Sequence, residues 1–154
     1  MHEVKSDVEF FVTPGFGEKA LQSLHYSQAV RIGDRVEISG QGGWDDDINF
    51  PESLADEIVR AFDNVERTLA TAGATWRDVV HVNSYHVATE ADAIGRAHND
   101  VMVEQMRLRM PEHAPIWTQT GVTVLGAPKM RVEIRVTAIL GAHLAGAGNE
   151  NRAI

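Results

Sequence analysis

The sequence predicts an α+β domain built on a single mixed β-sheet with two helices packed on one face. Three observations carry this prediction. Hydrophobic periodicity switches between the two-residue repeat of strands and the three-to-four-residue repeat of helices, in the order strands, helix, strand, helix, two strands. Each helical stretch has one apolar face, so both lie most simply on the same side of a sheet. Several strands are apolar at both parities, so the opposite sheet face is expected to be covered by other subunits of a homo-oligomer.

VEFFVT, residues 8 to 13, reads as a strand closed by Pro14 and Gly15. GFGEKA, residues 15 to 20, has the glycines of a dinucleotide-binding turn, but strand character resumes at YSQAV and a flexible loop is expected. Residues 25 to 41 read as a hairpin turning at Gly33 and Asp34, with Val36 and Ile38 alternating against Arg35 and Glu37. From Glu52 the period is helical: Leu54, Ile58, Ala61, Phe62, Val65 and Leu69 form one stripe that stops at Gly73. Residues 78 to 87 are rich in β-branched side chains and read as a strand. Ile94, Ala97, Val101 and Leu108 trace a second helix ending before Pro111. Residues 116 to 125 and 131 to 140 read as two strands around a turn at 126 to 129, and the small, polar tail 141 to 154 is expected to fray.

A length of 154 residues suits one domain. With 14 Lys and Arg against 22 Asp and Glu, the net charge of −8 repels phosphate backbones, so nucleic acid is an unlikely partner. The absence of cysteine excludes disulfides, thiolate metal sites and a cysteine nucleophile. There is no apolar run of membrane-spanning length, and the charged N-terminus lacks the layout of a signal peptide, which together suggest a cytoplasmic protein. Asp45, Asp46 and Asp47 are adjacent acids without a second cluster and read as a solvated loop. The seven histidines show no ligand spacing. His81 and His86 fall on opposite strand faces and read as structural or surface residues. No metal and no cofactor are expected.

Two segments carry chemistry in outline. Residues 39 to 47 end a strand in three glycines and a glutamine, which reads either as an ordinary turn or as backbone able to approach a ligand closely. Glu133 and Arg135 share a strand face opposite Val132 and Ile134, and read either as a salt bridge or as site residues.

The blocks HYSQAV, RVEISGQGG, ERTLATAGATWRDVVHVNSYHV, RAHNDVM and MRVEIRVTAI, in this order over residues 24 to 140, resemble the signature blocks of the RidA family, also called YjgF or L-PSP. The resemblance implies a chorismate-mutase-like domain over residues 1 to 140. It also implies a homotrimer whose sheets form a central barrel with ligand clefts between subunits, and a cofactor-free hydrolysis of reactive imino or enamino acids. By the same resemblance Glu133 positions the attacking water, Tyr26 belongs to the catalytic group, and Gly40, Gln41 and Asn99 line the cleft. His25 stands where the family usually has proline. The larger departure is at Pro115-Ile116-Trp117-Thr118, where deaminating members carry an arginine that grips the substrate carboxylate. Trp117 occupies that position, leaving Arg135 as the nearest candidate cation.

Two functional classes follow. One is an enzyme acting on an imine, enamine or related conjugated metabolite, with Glu133 in acid/base chemistry and Trp117 favouring a flat or apolar ligand. The other is a non-catalytic trimer that binds a metabolite or an apolar surface in the same cleft. Endoribonuclease activity, a third label carried by the family, fits poorly with the acidic balance.

Overall fold

In the computed structural model, which describes residues 7–141, six strands form one mixed sheet. They are β1 (Val8–Phe11), β2 (Ala29–Ile32), β3 (Arg35–Ile38), β4 (Val79–His86), β5 (Ile116–Gly121) and β6 (Val132–Ile139), with three helices, α1 (Phe16–Leu24), α2 (Leu54–Thr71) and α3 (Asn99–Arg109). The sheet order is β1-β2-β3-β6-β4-β5. All neighbours are antiparallel except β4 and β5. The predicted α+β class holds, and the predicted tail, residues 141–154, lies outside the described residues except for Gly141.

The core forms where the apolar stripe of α2 meets one face of the sheet. Ile58, Ala61, Phe62, Val65 and Leu69 are fully buried, as are Val132, Ile134, Val136 and Ala138 of β6 and Val82 of β4. Ser53 starts α2 by accepting a hydrogen bond from the Asp56 amide at 3.0 Å, satisfying one of the free N–H groups of the first turn. Met102 of α3 closes the same core. A π-helical turn, Ile94–His98, leads into α3 and leaves His98 buried.

Two sequence expectations are corrected here. Residues 15 to 20 do not form a loop, because Phe16–Leu24 is a helix, so the described residues hold three α-helices and not two. Its apolar positions Phe16, Ala20 and Leu24 are spaced by four residues, and long-range contacts complete what so short a helix lacks: the Phe16 amide donates to Asp46 Oδ1 at 3.3 Å, and the Arg67 guanidinium stacks 5.0 Å from the Phe16 ring. The last two strands are also not a hairpin. β5 and β6 flank β4 on opposite sides, and β5 ends at Gly121. β5 follows the α3 crossover and pairs parallel to β4, which leaves β6 free to run between β3 and β4.

Candidate functional site

Alternation along β6 sends Glu133, Arg135 and Thr137 to the sheet face away from α2, and each meets a different environment. Thr137 lies opposite Glu37 of β3. Its hydroxyl is 2.8 Å from the Glu37 carboxylate, which also takes Arg35 at 2.7 Å and Arg135 at 3.0 Å. Burial alone would raise the Glu37 pKa, but the hydrogen bonds from Thr137, Arg35 and Arg135 outweigh it and hold the carboxyl below its ordinary range. Arg135 is therefore committed to Glu37, and the expected pairing of Arg135 with Glu133 does not form. Glu37 lies diagonal to Arg135 across the β3–β6 pair, within reach of the long guanidinium, and its carboxylate is already drawn to this spot by Thr137 and Arg35.

Glu133 is free of ion pairs among the described residues because the neighbouring strand gives way beside it. The β3–β6 register shifts by one residue between Glu37↔Thr137 and Gln41↔Ile134, since the paired numbers sum to 174 and then to 175. One extra residue is thus inserted on the β3 side, a bulge at Ser39 and Gly40. Gly40 leaves the room that Glu133 fills: a Cβ there would collide with the Glu133 carboxyl. Burial pushes the Glu133 pKa up from the usual carboxylate value. The same bulge reverses the alternation, so Gln41, expected to line the cleft, turns into the core. It is fully buried and donates to the Gln28 side chain at 2.8 Å and to the Ser39 carbonyl at 3.1 Å.

Glu133 and Tyr26 line one cavity of about 450 Å³, together with Phe16 and Leu24 of α1, Trp44, and Met130. This brings the two predicted catalytic residues together. Phe16, Trp44 and Met130 form an apolar cluster separate from the main core. Sequence reasoning missed these walls, since α1 was read as a loop and Trp44 falls within a glycine-rich turn.

Trp117 and Asn99 lie elsewhere. In β5, Trp117 pairs with Val82, whose side chain is buried in the core, whereas Glu133 pairs with Tyr85, three residues further along β4. Directly paired residues share a face and odd offsets alternate, so Trp117 and Glu133 project from opposite faces of the sheet. The Trp117 indole donates to Ser84 Oγ at 2.9 Å, and Ser84 Oγ is 2.8 Å from His86 Nε2. His86 Nδ1 lies 2.9 Å from His98 Nδ1. Gln119 donates to Asn99 Oδ1 at 2.6 Å. The Gln119 side-chain NH2 can only donate and lies 3.3 Å from His86 Nε2, which makes that nitrogen an acceptor and places the His86 proton on Nδ1, directed at His98. Burial, reinforced by the neighbouring His98, lowers the His86 pKa to about 4, so a neutral ring sits at the centre of the chain. Of the two histidines read as structural or surface residues, His86 is fully buried and His81 half-buried. The parity of Ser84 with His86, and of Trp117 with Gln119, is the sequence signal that places these polar groups on one face.

A sequence model described as endoribonuclease L-PSP matches residues 17–140. The chain belongs to the L-PSP (RidA/YjgF) family. Among its relatives, the RutC family protein YjgH of Escherichia coli K12 is 32% identical over 119 residues, covering 77% of this chain and 87% of that protein. A 2-iminobutanoate/2-iminopropanoate deaminase of Dermatophagoides farinae is 34% identical over 119 residues, covering 75% and 85%. The solved structure of protein YjgH superposes with a TM-score of 0.71 at 29% identity, covering 91% of this chain and all of that one.

Within this L-PSP domain the acidic run 45 to 47 has structural work. Asp45 accepts from the Asp47 and Asn49 amides at 2.9 Å, Asp46 meets Arg67 at 3.3 Å, and Asp47 meets Lys19 at 3.0 Å. Among the described residues no cluster of three or more His, Asp and Glu could hold a metal ion, and no helix is long and apolar enough to cross a membrane.

Proposed function

We propose that this L-PSP family member hydrolyses an imine or enamine to a carbonyl compound and ammonia, with Glu133 handling the proton, in a cleft shared by two chains of a homotrimer. The observation that carries the reading is the Glu133 carboxyl: half-buried on the wall of a cavity, in the room that Gly40 leaves for it, and without an ion pair among the described residues. A carboxyl with a raised pKa is suited to take a proton from water as its oxygen attacks the C=N carbon and to return it to the departing nitrogen. An enamine would first be protonated at carbon. The named deaminase among the relatives supports this reaction class. The opposite-facing placement of Glu133 and Trp117 supports the shared cleft, because the two groups can meet only between chains. On this reading Glu133, Tyr26 and the Gly40 bulge come from one chain, and Trp117, Gln119 and Asn99 from its neighbour.

Trp117 sets the limit on substrate. Its one N–H is used by Ser84, so the indole offers a ligand its face and no donor for a carboxylate. A bidentate arginine clamp contributes about 1.5–3 kcal/mol per charge-assisted hydrogen bond, and even one such bond is worth roughly ten- to a hundredfold in rate. Simple 2-imino acids are therefore expected to be poor substrates, and imines without a carboxylate better ones. The test is ammonia release from imines generated in situ. Glu133→Gln should abolish turnover while leaving the melting temperature at pH 7 unchanged or slightly raised, since it removes a half-buried, unpaired charge. Trp117→Arg should gain activity on 2-imino acids. An equal loss of turnover and stability in Glu133→Gln would leave Glu133 a structural residue, and binding without turnover in the native protein would favour the non-catalytic reading.

A further inference from the structure

We propose that the cavity between α1, the turn bearing Ile48 and the 126–130 segment is a subsite for an uncharged aromatic or branched aliphatic group of the ligand, whose polar end meets Glu133. The proposal builds on Glu133 as the ligand-facing group, and extends it to the part of the ligand that does not react.

Size and lining come first. A cavity of about 150 Å³ walled by apolar side chains is enough to hold benzene, and this one is about 450 Å³. Phe16 and Trp44 meet edge to face at 5.7 Å and form an aromatic corner, with Met130 beside them as an adaptable thioether. Lys19 is the one cationic side chain among the described residues on the wall, and its ammonium is engaged by the Asp46 carbonyl at 2.6 Å and Asp47 at 3.0 Å. An anionic ligand group would meet apolar walls, a paired cation and the Glu133 carboxyl. A neutral apolar group meets none of these penalties.

The second, independent observation is backbone strain. Ile48 has φ of 62°, a left-handed conformation that a β-branched residue rarely adopts. Asp45 enforces it: its carboxylate accepts from the Asp47 and Asn49 amides, its amide donates to the Asn49 carbonyl at 3.0 Å, and its carbonyl accepts from the Ile48 amide at 3.1 Å. Asparagine or glycine would hold this turn with less strain. Isoleucine instead places a branched apolar side chain, 43% exposed, on the cavity wall. Strain kept at a cavity wall points to a contact made with a ligand.

Benzamide and acetamide are suitable neutral probes, since each offers an amide N–H to Glu133 and neither turns over. Calorimetry should show benzamide binding at least about tenfold more tightly than acetamide, and more tightly than benzoate. Ala20→Trp, which fills the cavity from α1, should remove the preference for benzamide. Ile48→Asn should raise the melting temperature and weaken benzamide at least about threefold, a divergence that a purely structural isoleucine would not produce. Equal affinity for the two amides, or benzamide affinity unmoved in both variants, would overturn the subsite. Imine hydrolysis does not enter these readouts, so failed turnover with intact benzamide selectivity would count against the reaction and leave the subsite standing.

Discussion

His86 shows how one buried side chain makes stability depend on pH. Its neutral form is held between Ser84 and His98 at 2.8 and 2.9 Å, and its folded pKa of about 4 lies below the 6.5 of an exposed ring. Between those values the unfolded chain binds a proton that the folded chain refuses, so the free energy of unfolding falls as pH drops from 6.5 toward 4. At 1.36 kcal/mol per unit the loss approaches roughly 3 kcal/mol. Glu133, whose pKa is raised, works in the opposite sense, because the folded state protonates first as pH falls, and it offsets part of the loss. Denaturant titrations at pH 7 and pH 4.5 should show the native protein losing stability over this interval, and His86→Gln losing distinctly less. Equal slopes for the two proteins would remove His86 from the account.

Among the elements, α2 and β6 are joined by a buried acid. Glu57 is fully buried, accepts from the Arg131 amide at 2.7 Å and the Val132 amide at 3.2 Å, and pairs with the Arg131 guanidinium at 3.0 Å. Glu57→Ala strands these donors, and breaking such a pair costs about 3–5 kcal/mol, expected as a fall in melting temperature on the order of 10 °C. The sequence made α2 legible because its stripe repeats over five turns, yet the staple at its start was not, since Glu57 lies among other acids with nothing to mark it as buried. α1 was hidden for the opposite reason: nine residues give two turns of pattern, with Gly17 inside them, and the contacts that hold it come from Asp46 and Arg67, far along the chain. Glu133 could be picked out by its alternation with Val132 and Ile134. The inward turn of Gln41 could not, because it depends on a one-residue bulge that strand periodicity does not register. The neighbour relations of β5 and β6 were equally out of reach, since periodicity finds strands and does not order them.

At the scale of the molecule, the sheet face away from α2 exposes Phe10, Ile32 and Ile116 around the Arg35–Glu37–Arg135 cluster. Light scattering is expected to return about three times the 16.9 kDa chain mass, and a monomer would dissolve the proposed shared cleft. The opposite orientations of Glu133 and Trp117 have a further consequence for genetics. If every site takes its acid from one chain and its Asn99 side from the next, then neither half belongs to a single polypeptide, and two defective alleles can repair each other. Glu133→Gln and Asn99→Ala, each expected to be inactive alone, should regain activity when unfolded together and refolded as mixed trimers, with about one interface in four receiving both intact halves by random assortment. Sites confined within one chain would stay silent in every mixture.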